Sequence, residues 1–169
     1  MPHRVADDGR ALAAFASVVD VVCPACHRRA RIVAAARPVL AARPGPGRPP
    51  ASPARLTCAN CALTRSQDLP PGVMAMAALR VDGTDPYFGL DLWLVEATRH
   101  GIVFAYNAEH LDALAAFVGA DLRERHRLAP TTLRNRTFQA RLPRWMKLAR
   151  NRQHVLAALA RLRQRLAET

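Results

Sequence analysis

Four cysteines in two close pairs are the residues best placed to do chemistry: Cys23-Pro-Ala-Cys26 and Cys58-Ala-Asn-Cys61. Each pair sets two sulfurs across a tight turn, so that both thiolates can point at one centre. Two such turns brought face to face close a tetrahedral S4 site. That donor set suits Zn2+ and leaves no open position for a substrate. A single Cys-Pro-x-Cys also fits a thiol redox pair, and four thiolates also fit an iron–sulfur centre. The second pair at matching spacing favours one structural Zn2+ on Cys23, Cys26, Cys58 and Cys61. His27 follows the first pair directly, and with four thiolates present it is expected to face solvent or a backbone oxygen. Close pairing also argues against a disulfide framework, which needs an oxidising compartment.

A second set of candidates is basic. Arg134, Arg136, Arg141, Arg144, Lys147, Arg150 and Arg152 gather late in the chain with Trp145 among them. Guanidinium groups grip phosphate through two parallel hydrogen bonds, and an indole can stack on a base. The chain carries a net charge of +12, unevenly spread. Residues 1–66 hold ten Arg against three Asp, residues 67–120 two Arg against seven acids, and residues 121–169 twelve Arg and one Lys against three acids. The order basic, acidic, basic allows either a polyanion or the chain's own acidic middle as the partner of these cations. Arg161, Arg163 and Arg165 make a weaker case, because alternate residues spread around a helix.

A third set, Asp82, Asp85, Asp91 and Glu96, invites comparison with a metal-dependent hydrolase. Lys147, the single lysine, is far away, and His100 and His110 stand at no recognisable spacing to the acids. Asp82 and Asp85 are expected to cap turns. No catalytic residue is assigned.

The elements that position these residues follow from patterning. Residues 15–22 are β-prone and run into Cys23, with 31–34 returning antiparallel; 56–58 and 63–67 supply a second hairpin. Six of the thirteen prolines fall between 38 and 53, which reads as an extended surface loop between the two halves. Residues 73–81 are ambiguous between strand and helix. Residues 90–97 and 102–106 form a hairpin through Arg99-His100-Gly101, and the aromatics Tyr87, Phe88, Trp93, Phe104 and Tyr106 around it are expected in the core. Asn107 caps a helix running to about Arg125, with Tyr106 and Leu111 as a hydrophobic staple. Pro143 opens a short helix through Leu148, and Asn151 caps a last one with Val155, Leu159, Leu162 and Leu166 on one stripe.

The expected fold is therefore α+β. An N-terminal zinc ribbon (1–68, with the Pro-rich loop 38–53 inserted) and small antiparallel sheet precede two or three packed C-terminal helices, and residues 69–169 form a hairpin plus helical domain. No stretch approaches the roughly 20 apolar residues of a membrane helix. Asp7, Asp8 and Asp20 spoil residues 11–22 as a signal peptide, which places the chain in the cytoplasm.

The two cysteine pairs resemble the zinc ribbons of transcription initiation factors. The wider pattern, Asp85-Pro-Tyr-Phe-Gly-Leu-Asp-Leu-Trp-Leu94, Ala105-Tyr-Asn-Ala-Glu-His-Leu111 and Leu142-Pro-Arg-Trp-Met-Lys-Leu-Ala-Arg-Asn-Arg152, resembles a group of uncharacterised bacterial proteins carrying a ribbon of that type. That resemblance covers most of the chain and implies architecture and bacterial origin, not an activity. The leading expectation is a non-enzymatic accessory protein that binds nucleic acid, DNA or RNA, through the C-terminal cluster. An adaptor docking on another protein is the alternative, and a metal-dependent hydrolase the third reading.

Overall fold

The computed structural model describes residues 4–6, 10–34, 52–69, 82–120, 122–124 and 137–168. Arg134, Arg136, residues 38–51 of the Pro-rich loop and the ambiguous segment 73–81 lie outside them; the expected loop ends too late, since Ser52 and Pro53 already belong to a strand and pair with Leu69 and Asp68. The expected boundary between 68 and 69 falls inside the strand Thr64–Leu69.

The architecture is α+β. Strands β1 (Arg4–Ala6), β2 (Val18–Val22), β3 (Arg29–Ala34), β4 (Ser52–Thr57), β5 (Thr64–Leu69), β6 (Leu94–Thr98), β7 (Gly101–Ala105) and β8 (Leu122–Glu124) accompany helices α1 (Ala108–Gly119), α2 (Phe138–Arg141), α3 (Arg144–Lys147) and α4 (Arg152–Ala167). Leu12–Phe15 and Ala149–Asn151 are single 3-10 turns. Strands β2 to β5 form one antiparallel sheet in sequence order, β6 and β7 a hairpin, and β1 and β8 a parallel pair.

Alternation explains the main sheet. Val19 pairs with Ile32 and Ile32 with Leu56, which places an apolar row on one face. All three are fully buried. The partner residues of the other face, Asp20, Arg31 and Thr57, form a polar row. Asp20 is itself buried and accepts hydrogen bonds from Arg29 (2.9 Å) and Arg31 (3.3 Å), so its charge is met within the sheet. The two expected hairpins thus fuse into one sheet through β3 and β4.

Strand β2 is not an open edge. Asp20 N–H donates to the Tyr106 carbonyl, while Trp93 N–H and Val22 N–H tie residues 91–93 to the same strand. Tyr87 sends its hydroxyl to the Ala16 carbonyl at 2.5 Å, and burial together with neighbouring Tyr106 and Asp85 pushes its pKa above the ordinary phenol range. Apolar residues before 70 and after 81 share one core, from Phe15 and Leu56 to Leu94, Leu114 and Leu162.

Helix α1 starts as expected. Asn107 is extended, and its side chain accepts from His110 N–H at 2.9 Å while its amide donates to the Phe15 and Val18 carbonyls. It ends at Gly119, short of the expected Arg125, because residues 122–124 leave to pair with β1. That pairing is non-local and overrides the three- and four-residue spacing of Leu111, Leu114, Val118 and Leu122 on which the longer helix was expected. Asn151 also departs from expectation. Its side chain caps nothing and donates to the Trp145 carbonyl, since the 3-10 turn runs directly into α4 with helical backbone. Val155, Leu159 and Leu162 face the core as the stripe predicts, with Leu166 half-buried at its end. Among the described residues no helix is long and apolar enough to cross a membrane.

Candidate metal centre

The cysteines sit where strands end. Cys23 follows β2, the first turn leads into β3, and the second turn joins β4 to β5, so the β3–β4 pairing brings both turns to one end of the sheet. Each turn is built alike. Cys23 N–H donates to the Arg28 carbonyl at 2.8 Å, and Cys58 N–H donates to the Leu63 carbonyl at 2.9 Å, the same five-residue span. The residue after each pair takes the left-handed conformation, with φ 57° at His27 and 58° at Ala62. Neither is glycine, and a non-glycine residue there costs roughly 1–2 kcal/mol. The two turns thus share one backbone conformation, each closed by the same hydrogen bond.

The four sulfurs lie within 4.8 Å of one another. Cys23 Sγ is 3.7 Å from Cys61 Sγ, and Cys26 Sγ is 3.6 Å from Cys58 Sγ. None is in disulfide contact. A metal bonded to sulfur at about 2.3 Å in tetrahedral geometry sets its sulfurs about 3.8 Å apart, so the cluster fits a four-coordinate ion. Cys23 and Cys58 are buried, Cys26 is half-buried and Cys61 is exposed, which gives the site an inner and an outer side. Electrostatics separate Cys26 from Cys61. The Arg28 N–H, the largest influence, together with Asn60 and the neighbouring sulfurs, lowers the Cys26 thiol to about 6. At Cys61 the Leu63 N–H pulls the same way. There burial and hydrogen bonding with the other three cysteines prevail, and the last proton is held up to about 12. A cation bound among the sulfurs displaces such shared protons. The group can hold a metal ion, and His27 stands exposed beside it.

The acids expected to be turn formers are so. Asp82 accepts from Thr84 N–H and its hydroxyl. Asp85 is completely buried and accepts from the backbone N–H of Tyr87 (2.8 Å), Phe88 (2.8 Å) and Leu90 (2.6 Å). Glu96 pairs with Arg161 and Arg165, and Asp112 with Arg163. Among the described residues the cysteines are the one group of three or more side chains arranged to share a metal.

The C-terminal basic cluster is divided in role. Arg141, Arg144 and Arg150 are exposed, whereas Lys147 donates to the Ala140 carbonyl and Arg152 to the Ala120 carbonyl. Trp145 is half-buried with its indole against the Gly101 turn: a Cβ built on Gly101 would stand 3.3 Å from its Nε1. The His100 ring lies 5.8 Å from the indole, tilted by 30°, and His154 is edge-on to His100. Sequence reasoning passed over three exposed arginines of the sheet region: Arg28 beside the first turn, Arg55 in β4 and Arg65 in β5. Strand alternation in the second hairpin was the signal that could have found Arg55.

No protein family, curated protein or solved structure matches the chain.

Proposed function

We propose that this chain is a non-enzymatic accessory protein that binds nucleic acid and is built on a zinc ribbon, with one structural Zn2+ on Cys23, Cys26, Cys58 and Cys61. Zinc is the natural occupant of a closed four-thiolate site that leaves no position for substrate. Reduced, metal-bound cysteines fit a cytoplasmic protein. One observation carries the nucleic-acid reading: exposed Arg28, Arg55, Arg65, Arg144 and Arg150 have no carboxylate partner among the described residues, whereas Asp20, Glu96, Glu109 and Asp112 are met by other arginines. These four acids are matched within the chain and the five exposed cations face outward, as contact with a phosphate backbone requires.

A salt titration on single- and double-stranded probes tests this. The slope of log K against log salt is about −0.9 per phosphate neutralised on duplex DNA and about −0.7 on a single strand. Changing Arg55 or Arg144 to Ala should reduce that slope by about one unit with sequence preference kept. Weak binding with equal slopes for wild type and both variants moves the assignment to a protein partner. Val33, 49% exposed and paired with Arg55 on the open face of the sheet, is the apolar group such an adaptor would present.

A further inference from the structure

The two faces of the main sheet carry opposite chemistry. Behind the buried apolar row, register sets Arg31 beside Thr57 and Thr57 beside Thr64 on the other face. In the next row Val33 stands beside Arg55 and Arg55 beside Ser66. All six side chains are exposed. Arg31 and Arg55 are diagonal neighbours, a spacing of about 7–8 Å on a sheet. Arg31 gives its Nε to Asp20 at 3.3 Å and is 55% exposed, which leaves its terminal nitrogens toward solvent. Strands β3, β4 and β5 hold one acid, Asp68, at the end away from the cysteine turns. Asp20 is buried and bridged by two arginines, and Asp91 stands beyond β2.

Guanidinium and hydroxyl donors in adjacent rows, on a face of positive charge, are complementary to the oxygens of a phosphate backbone. The same three strands carry no aromatic residue. Trp93, bonded to the far edge of β2, packs on the core with its indole N–H buried. Unpaired bases draw much of their affinity from stacking on protein rings, whereas paired bases stack on one another and need only backbone contact. From this placement we propose that the open face of β3–β5 is the docking surface for double-stranded nucleic acid, held by its phosphates without base readout. The inference rests on the nucleic-acid reading above and adds to it the face used and the form of the partner.

Fluorescence anisotropy of a short labelled duplex and of one of its strands, titrated with the full chain at several salt concentrations, tests this. Wild type should bind the duplex about tenfold more tightly than the strand at equal salt. Val33→Arg adds a cation at a position 49% exposed and should steepen the duplex slope by about 0.9. Ala97→Arg adds the same charge at an exposed position of β6 and should leave the slope unchanged. Thr64→Val combined with Ser66→Ala should weaken the duplex about tenfold at constant slope, since hydroxyls displace no counterions. Equal steepening by the two arginine variants, or unaltered affinity of the hydroxyl variant, overturns the choice of face. A single strand bound as tightly as the duplex overturns the choice of partner. The nucleic-acid reading survives both results. Failure of wild type to bind either probe at about 50 mM salt removes that reading and this inference together.

Discussion

Acidifying the protein from pH 7.5 to 5 should expose the cost of burying His110. The imidazole lies among Phe15, Phe104, Tyr106 and Phe138, and burial first, then the charge of Arg10, lowers its pKa from 6.5 to about 3. The unfolded chain takes up a proton on this residue near 6.5 and the folded chain does not until about 3. The unfolded state thus binds more protons throughout that window, and stability falls as pH falls through it. Between pH 7.5 and 5 the loss amounts to about 2 kcal/mol, a figure set by the unfolded value alone while the folded one stays below about 4. Stability above pH 7.5 should be insensitive to this residue. Urea denaturation at several pH values reads the effect, with His110→Gln as reference. Glutamine keeps an acceptor for the Tyr106 N–H and does not titrate, and acid effects on the shared cysteine cluster cancel in the difference. Wild type should approach the variant by about 2 kcal/mol on acidification. Parallel stability curves for the two proteins would refute the buried neutral histidine.

Three further outcomes follow from the packing. Asp85→Ala removes a buried acceptor from three backbone N–H groups and should destabilise by about 3 kcal/mol or more, read by denaturant midpoint. Gly101→Ala places a side chain at φ 135° and against the indole of Trp145. It should cost about 1–3 kcal/mol and shift the tryptophan emission; unchanged emission would detach Trp145 from the hairpin turn. Cys58→Ser removes a buried sulfur from the cluster. It should lower metal retention and melt the β4–β5 end of the sheet first, seen as faster amide exchange at residues 54–57.

Local features were legible in the sequence for local reasons. The two cysteine turns, the Asn107 cap and the β6–β7 hairpin are each specified within a few neighbouring residues. What escaped depends on distant partners. Nothing near Leu122 announces that it pairs with Arg4, so α1 was extended too far. Asn151 has the composition of a cap, but its amide is taken by Trp145 across the α3 turn. Arg161 and Arg163 pair with Glu96 and Asp112, acids whose proximity depends on how α4 packs. His110 was visible in part. It stands four residues before Leu114 on the core face of α1, the spacing of a buried position, although its residue type suggests a surface role.

X-ray absorption at the zinc edge on anaerobically purified protein measures whether the cysteine cluster holds one zinc. It should find one zinc per chain with four sulfur neighbours at about 2.3 Å and no oxygen or nitrogen in the shell. Protein without zinc, or zinc bound through nitrogen or oxygen, would contradict it.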